Sequence, residues 1–295
     1  MRPGEAEAHS PAIRVTVPGG VWQLDGESAG EPLRAFALRP ARSDDIMFIG
    51  EMPGALPSEC ATMLLTRCLE EGEQIAPMLT VGDREALLLH LRRLTLGDRI
   101  NAVLYCPAAS CGEPMDVAFS VSSLLLPPYT EVQASYDIAV DVEDRTYAVT
   151  FRLPTAEDLD KAALLARIDP DRGATEILSR CLLQAKLGGI PVEAKDLSLA
   201  AQDAISEAMA EYDPQAELNL DVCCPACGIS FQALFDTAAF LLSELEQRAS
   251  QLLVDVHTLA SHYHWSEADI LHMTASRREK YLALLAQAQA DGVMQ

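Results

Sequence analysis

The chain has 295 residues, 49% hydrophobic and 22% charged, enough for two ordinary domains, or one with an appendage, whose cores form without disulfide staples. Its 44 acidic and 22 basic residues leave a net charge of −22, which speaks against non-specific nucleic-acid binding and for partners with basic or apolar protein surfaces. No run of about 18 apolar residues occurs, so no membrane-spanning helix is expected. The polar start MRPGEAEAHSPA carries no signal-peptide pattern, and the eight cysteines therefore read as thiols or metal ligands of a cytoplasmic protein.

In chain order, residues 1–14 are expected to be a flexible N-terminus. Two short extended runs follow, VWQL and LRAFAL. A helix over Ala61–Leu69, ATMLLTRCL, places Cys68 mid-helix among apolar neighbours, where it reads as a buried small hydrophobe. Thr80 is a candidate N-cap, with Asp83 in the capping-box position. The helix it starts carries Leu87, Leu91 and Leu94 on one face and stops at Gly97. An extended segment then leads into Cys106-Pro-Ala-Ala-Ser-Cys111-Gly112.

The same sequence of signals returns. YDIAVDV and TYAVTFRL flank Glu143-Asp144-Arg145, a hairpin signal. ATEILSRCL at Ala174–Leu182 matches Ala61–Leu69, with Cys181 opposite Cys68, and LSLAAQDAISEAMAEY reads as a helix. ELNLDVCCPACGISFQALFDTAAFLL then parallels RINAVLYCPAASCGEPMDVAFSVSSLLL, down to Phe235 opposite Phe119. Matched positions lie 113 residues apart for Ala61 and Cys68, 115 for Phe36, 118 for Cys106 and 116 for Cys111. A nearly constant offset across separate blocks predicts a tandem duplication, with units at residues 15–126 and 129–241.

Cys224-Pro-Ala-Cys227-Gly228 has the form of a zinc knuckle, and Cys106 to Cys111 is the same device with a longer spacer. Each unit offers two such ligands and a structural zinc takes four, so the two pairs are expected to pool on one tetrahedral ion. The competing readings are a redox dithiol, a catalytic zinc with an open position, and two sites each completed by histidines. Cys223 is an alternative to Cys224 as ligand. The fold expected is α+β and helix-rich: two hairpin–helices–knuckle units sharing one ribbon-like zinc site of four cysteines, plus a helical tail.

Residues 242–295 form that tail. Leu241, Leu245, Ala249, Leu252, Val256, Leu259 and Tyr263 recur at heptad-like steps, and Ser266 and Thr274 are N-caps of two short helices after them. Trp265, Ile270, Leu271, Tyr281 and Leu282 either pack onto the chain's own body or dock on another subunit. Arg277, Arg278 and Lys280 form a basic spot that reads as a solvated face.

The run LTVGDREALLLHLRRLTLGDRINAVLYCP, followed by CGEPMDV, resembles the baseplate hub assembly proteins of T-even-type phages. Relatives of that family are encoded with contractile tails and extracellular contractile injection systems. The tail HYHWSEADILHMTASRREKYLALL is similar to helical segments of small tail-locus proteins. The resemblance implies a non-enzymatic structural or assembly component whose partners are other baseplate, hub or spike subunits, with no catalytic residues and no small-molecule substrate. Its metal ligands are Cys106, Cys111, Cys224 and Cys227. The alternatives are a zinc-ribbon module of transcription or RNA metabolism, and an enzyme whose site carries no recognisable motif.

Overall fold

The structure, a computed structural model, describes residues 11–22, 31–52, 54–142 and 144–290. It opens with an antiparallel pair, β1 (Ile13–Val21) and β2 (Leu33–Leu38), followed by helices α1 (Ser43–Gly50), α2 (Pro57–Cys68), the single turn α3 (Gly72–Ile75) and α4 (Val81–Leu96). A hairpin of β3 (Arg99–Tyr105) and β4 (Pro114–Ser120) ends in the short α5 (Val121–Leu124). The second half runs β5 (Tyr136–Val142), β6 (Arg145–Phe151), α6 (Ala156–Ile168), α7 (Pro170–Cys181), β7 (Leu182–Leu187), β8 (Ile190–Pro191) and α8 (Leu199–Tyr212). It closes with a second hairpin, β9 (Asn219–Cys223) and β10 (Ser230–Leu234). Strands β5 to β8 form one antiparallel sheet in sequential order. The chain finishes in α9 (Thr237–Tyr263), α10 (Glu267–Leu271) and α11 (Ala275–Ala290).

Several local expectations need correction. The first strand is IRVTVPGGV, and of VWQL only Val21 belongs to it; Gln23 and Leu24, like residues 1–10 and Glu143, lie outside the described residues. Strand β1 thus already includes Ile13 and Arg14 of the segment expected to be flexible. Within β1 the buried Asp83 carboxylate accepts the amides of Gly19 at 2.8 Å and Gly20 at 2.6 Å, with Gly20 at φ +97°. Asp83 therefore does not complete a capping box on Thr80, whose hydroxyl nonetheless accepts the Asp83 amide as the N-cap. Cys68 and Cys181 are each the last residue of a helix and not mid-helix; both are buried, and burial pushes both thiols up to about 12.

Helix α4 is the central element. Its leucine stripe does not define a single buried face, because Gly82 to Arg92 are all buried. One side packs with α2, α9 and β1 in the larger core, which includes Leu38, Leu64, Leu65, Leu87, Leu91 and Leu241. A second core lies under the four-stranded sheet, where Tyr147, Val149 and Phe151 meet Ile205 and Met209 of α8. The N-terminus of α4 joins the two halves. Thr80 bridges Thr155, Val81 donates to the Pro154 carbonyl, and Ala156 donates to that of Leu79. Asp213, after α8, accepts the Gly82 amide at 2.8 Å and the Tyr129 hydroxyl at 3.0 Å.

Both halves contain the same polar latch. Arg39 donates to Asp45 at 2.6 Å and to the carbonyl of the next residue, while its amide donates to Cys68 O; Arg152 does likewise with Asp158 at 2.6 Å, Leu153 O and Cys181 O. The amides of Arg42 and Thr155 donate to the same two carboxylates. Burial would raise both acids, but these donors outweigh it and hold Asp45 and Asp158 below the usual carboxylate value.

The heptad-like seam of α9 faces inward. Leu241, Leu245, Ala249 and Leu252 join the larger core, together with Leu271 of α10. The left-handed His264 ends the helix, and Ser266 and Thr274 cap α10 and α11 as expected. Leu259, Ile270 and Leu285 form a small core edged by Tyr263, Trp265, Tyr281 and Leu282. Arg278 does not lie on a solvated face: it is buried and pairs with Asp255 of α9 at 3.3 Å.

Candidate metal centre

The two hairpins lie against each other. Alternation along β3 and β4 turns Ile100, Leu104, Met115 and Val117 inward, and alternation along β9 and β10 does the same for Leu220, Val222 and Phe231. At the base Phe119 and Phe235, the two phenylalanines matched in sequence, meet edge to face with centroids 5.3 Å apart. Arg92 of α4 fixes the entry of β3, donating to the carbonyls of Gly97 and Arg99, and forms a two-pronged pair with Glu244 of α9 at 2.9 and 3.0 Å. The hairpin tips are thereby carried to one point.

There the four expected cysteines come together. Cys106 Sγ lies 3.6 Å from Cys227 Sγ, Cys111 Sγ lies 3.9 Å from Cys224 Sγ, and all four sulfurs fall within 4.8 Å of one another. A metal bonded to four thiolates at about 2.3 Å has sulfur–sulfur edges of about 3.8 Å, so the donor set fits one tetrahedral ion. Each contact crosses between the hairpins, and hence between the halves.

The turns explain the placement. Cys106 donates its amide to Glu113 O and Cys224 to Ile229 O, closing the two loops. Gly112 and Gly228 follow the second cysteine of each pair at φ +65° and +76°, a conformation that β-carbon-bearing residues seldom adopt. The longer first spacer is absorbed by a turn in which Cys111 and Gly112 both donate to Ala108 O. Amides of Cys227 and Ala226, against the effect of burial, hold the Cys224 thiol down to about 7. The Ala108 amide lowers Cys106, yet burial and the three neighbouring cysteines push it up to about 12. Four thiols this close cannot all ionise unaided, and a dication would allow them to.

Cys223 does not belong to the cluster. It is exposed, with its sulfur directed at Gly228 O at 3.7 Å. Cys-Pro-Ala-Cys sits on a turn between antiparallel strands and not at the start of a helix, so the thioredoxin-like arrangement is absent here. Among the described residues no histidine joins the four sulfurs; His90 is buried in α4, where burial and Arg93 lower it to about 4. Sequence reasoning gave Asp83 only a capping-box role and did not single out Asp213, the two buried carboxylates of the junction. The signal for the first was a Gly-Asp step in the first turn after an N-cap.

A central helix, two facing hairpins and a cluster of four thiols make up the framework around the candidate site. The family model described as T4 bacteriophage base plate protein matches residues 54–242, well over half of the chain and including all four clustered cysteines. The chain belongs to that family, and is a base plate protein of the phage-tail type. Neither the curated proteins nor the solved structures gave a match. No helix among the described residues is long and apolar enough to cross a membrane.

Proposed function

We propose that this chain is a non-enzymatic structural or assembly subunit of the baseplate of a contractile tail or tail-like injection particle, and that Cys106, Cys111, Cys224 and Cys227 hold one zinc ion with a purely structural role. The observation that carries the reading is the cross-hairpin pairing of the four sulfurs at tetrahedral spacing. Four thiolates complete the coordination shell and leave no position for water or substrate. Binding energy at such a site is folding energy, and here it would lock two segments more than a hundred residues apart. Partners are other baseplate, hub or spike subunits.

The duplication belongs to the same proposal. Arg39, Asp45 and Cys68 are repeated at an offset of 113 by Arg152, Asp158 and Cys181 with matching contacts, and Arg67, bonded to Asp45, by Arg180, which lies 3.9 Å from Asp158 and hydrogen-bonds Glu176. This register pairs Leu38 with Phe151, two residues from the alignment suggested by sequence alone. We keep the units at residues 15–126 and 129–241, with 242–295 as the docking segment. Docking there falls to outward residues such as Leu253, Val254 and Leu284, since the inward ones pack on the chain itself. The test is deletion of the gene in a tail-producing host: assembly should arrest before a complete baseplate forms. Normal particles without the protein would reject the assignment.

A further inference from the structure

Strand β3 pairs only with β4, and β10 only with β9, so each hairpin of the metal clamp keeps an open edge among the described residues. Between β3 and the β10–α9 junction runs a groove of about 490 Å³, lined by Val103, Leu104, Phe119, Leu234, Phe235 and Phe240. Its lips are apolar and exposed. Val103 is 54% accessible, Leu234 65%, and Tyr105, next along β3, 68%. A cluster of such apolar side chains beside the open edge of a strand is the arrangement that extended segments recognise in β-addition.

The charge around the groove selects the occupant. From Gly97 to Pro127 and from Pro214 to Leu242 the chain carries Asp98, Glu113, Asp116, Glu217, Asp221 and Asp236 against a single base, Arg99. Asp236 lines the groove itself, and Asp116 stands opposite Val103 in the β3–β4 register. A four-thiolate zinc site would add two further negative charges. A second copy of this chain, at net charge −22, meets repulsion here, and so does nucleic acid.

We propose that this groove is the docking site for an extended, basic segment of a neighbouring baseplate subunit. The segment adds to the free edge of β3, sets alternate apolar side chains against Val103, Phe119 and Leu234, and places Lys or Arg beside Asp116 and Asp236. The metal clamp then has a task beyond stability, because it fixes the separation of the two hairpins and so the width of the groove. The proposal rests on the baseplate assignment above.

Two experiments in the tail-producing host test it. Val103→Glu combined with Leu234→Glu changes only exposed side chains, so the full chain should keep wild-type metal content and unfolding midpoint. Its incorporation into baseplates should fall about tenfold or more, the factor expected from losing burial of one or two such residues. A photo-reactive benzoylphenylalanine replacing Val103 should cross-link to a net-basic stretch of a different baseplate subunit. Unchanged incorporation of the double variant overturns the proposal, as does a cross-link to a second copy, to nucleic acid or to an acidic stretch. If the gene deletion arrests assembly while the double variant does not, the groove is wrong and the baseplate role stands. If the deletion has no effect, the baseplate role itself fails.

Discussion

Replacing Gly82 by Ala, a change that ordinarily strengthens a helix by about 1 kcal/mol, should here weaken the protein. Gly82 is the second residue of α4, and a β-carbon built on it meets Asp213 Oδ1 at 1.9 Å and Cγ at 2.7 Å. Asp213 has no room to yield without loss. It is 2% accessible, and its two oxygens accept the Gly82 amide and the Tyr129 hydroxyl. Overpacking costs about 1–3 kcal/mol, and each donor stripped of its partner in the interior adds about 1–3 kcal/mol. With one donor lost and the helix gain subtracted, the net destabilisation is about 1–5 kcal/mol. Urea unfolding monitored by far-ultraviolet circular dichroism measures it directly. The double-mutant cycle with Asp213→Ala isolates the contact: on that background Gly82→Ala should be neutral or mildly stabilising. A wild-type or raised midpoint for Gly82→Ala alone would refute the packing described for the junction of the halves.

Asp45→Asn and Asp158→Asn should each cost about 1–3 kcal/mol, since both carboxylates are buried but their arginine partners are partly exposed, and their similarity checks the matched latches; a neutral result for either would break the equivalence. Burial raises Asp83 to about 6, above its unfolded value of 3.8, so the folded state binds the extra proton between those values and this group's contribution to stability falls as pH rises through the window. Asp45 and Asp158, held low, contribute in the opposite sense, and their part is lost as pH drops below the ordinary carboxylate range. Comparing the pH slopes of unfolding midpoints for wild type and Asp83→Asn should show the first dependence disappearing, and identical slopes would count against it. Removing residues 266–295 takes away Ile270, Leu271 and Leu285 and leaves Asp255 without Arg278, so the thermal midpoint should drop by several degrees or more; an unchanged midpoint would mean that α10 and α11 do not belong to the body.

What the sequence revealed depended on how local its cause was. The two cysteine motifs were legible because a knuckle needs thiols, proline and glycine at fixed spacing, and the structure brings all four sulfurs to one point. The caps at Thr80, Ser266 and Thr274 act within one helical turn, and side chains accept the amides there. Three features were hidden because their causes lie far along the chain. Pro18-Gly19-Gly20 is held extended by distant partners, the Asp83 carboxylate more than sixty residues away and the Tyr129 amide, which donates to Pro18 O. Helix α4 shows no single apolar face because polar residues are buried in it as well, among them Arg92, whose partner Glu244 lies on the distant α9. Arg278 reads as solvated until α9 places Asp255 opposite it. The β7–β8 hairpin is different: Gly188-Gly189, at φ +57° and +86°, is a two-residue turn signal that the sequence does display but that does not enter the repeat pattern. In the register of the two halves, Phe36 resembles Phe151 as a residue, but the latch ion pairs align Arg39 with Arg152.

The central claim is that one metal joins the two halves through four cysteines. Elemental analysis of the purified full chain together with X-ray absorption at the zinc edge tests it most directly. The account predicts one zinc per chain in a shell of four sulfurs at about 2.3 Å, with the zinc lost in Cys106→Ser and Cys224→Ser alike. Two zincs per chain, a shell containing nitrogen, or full zinc retention when either half's pair is removed would contradict it.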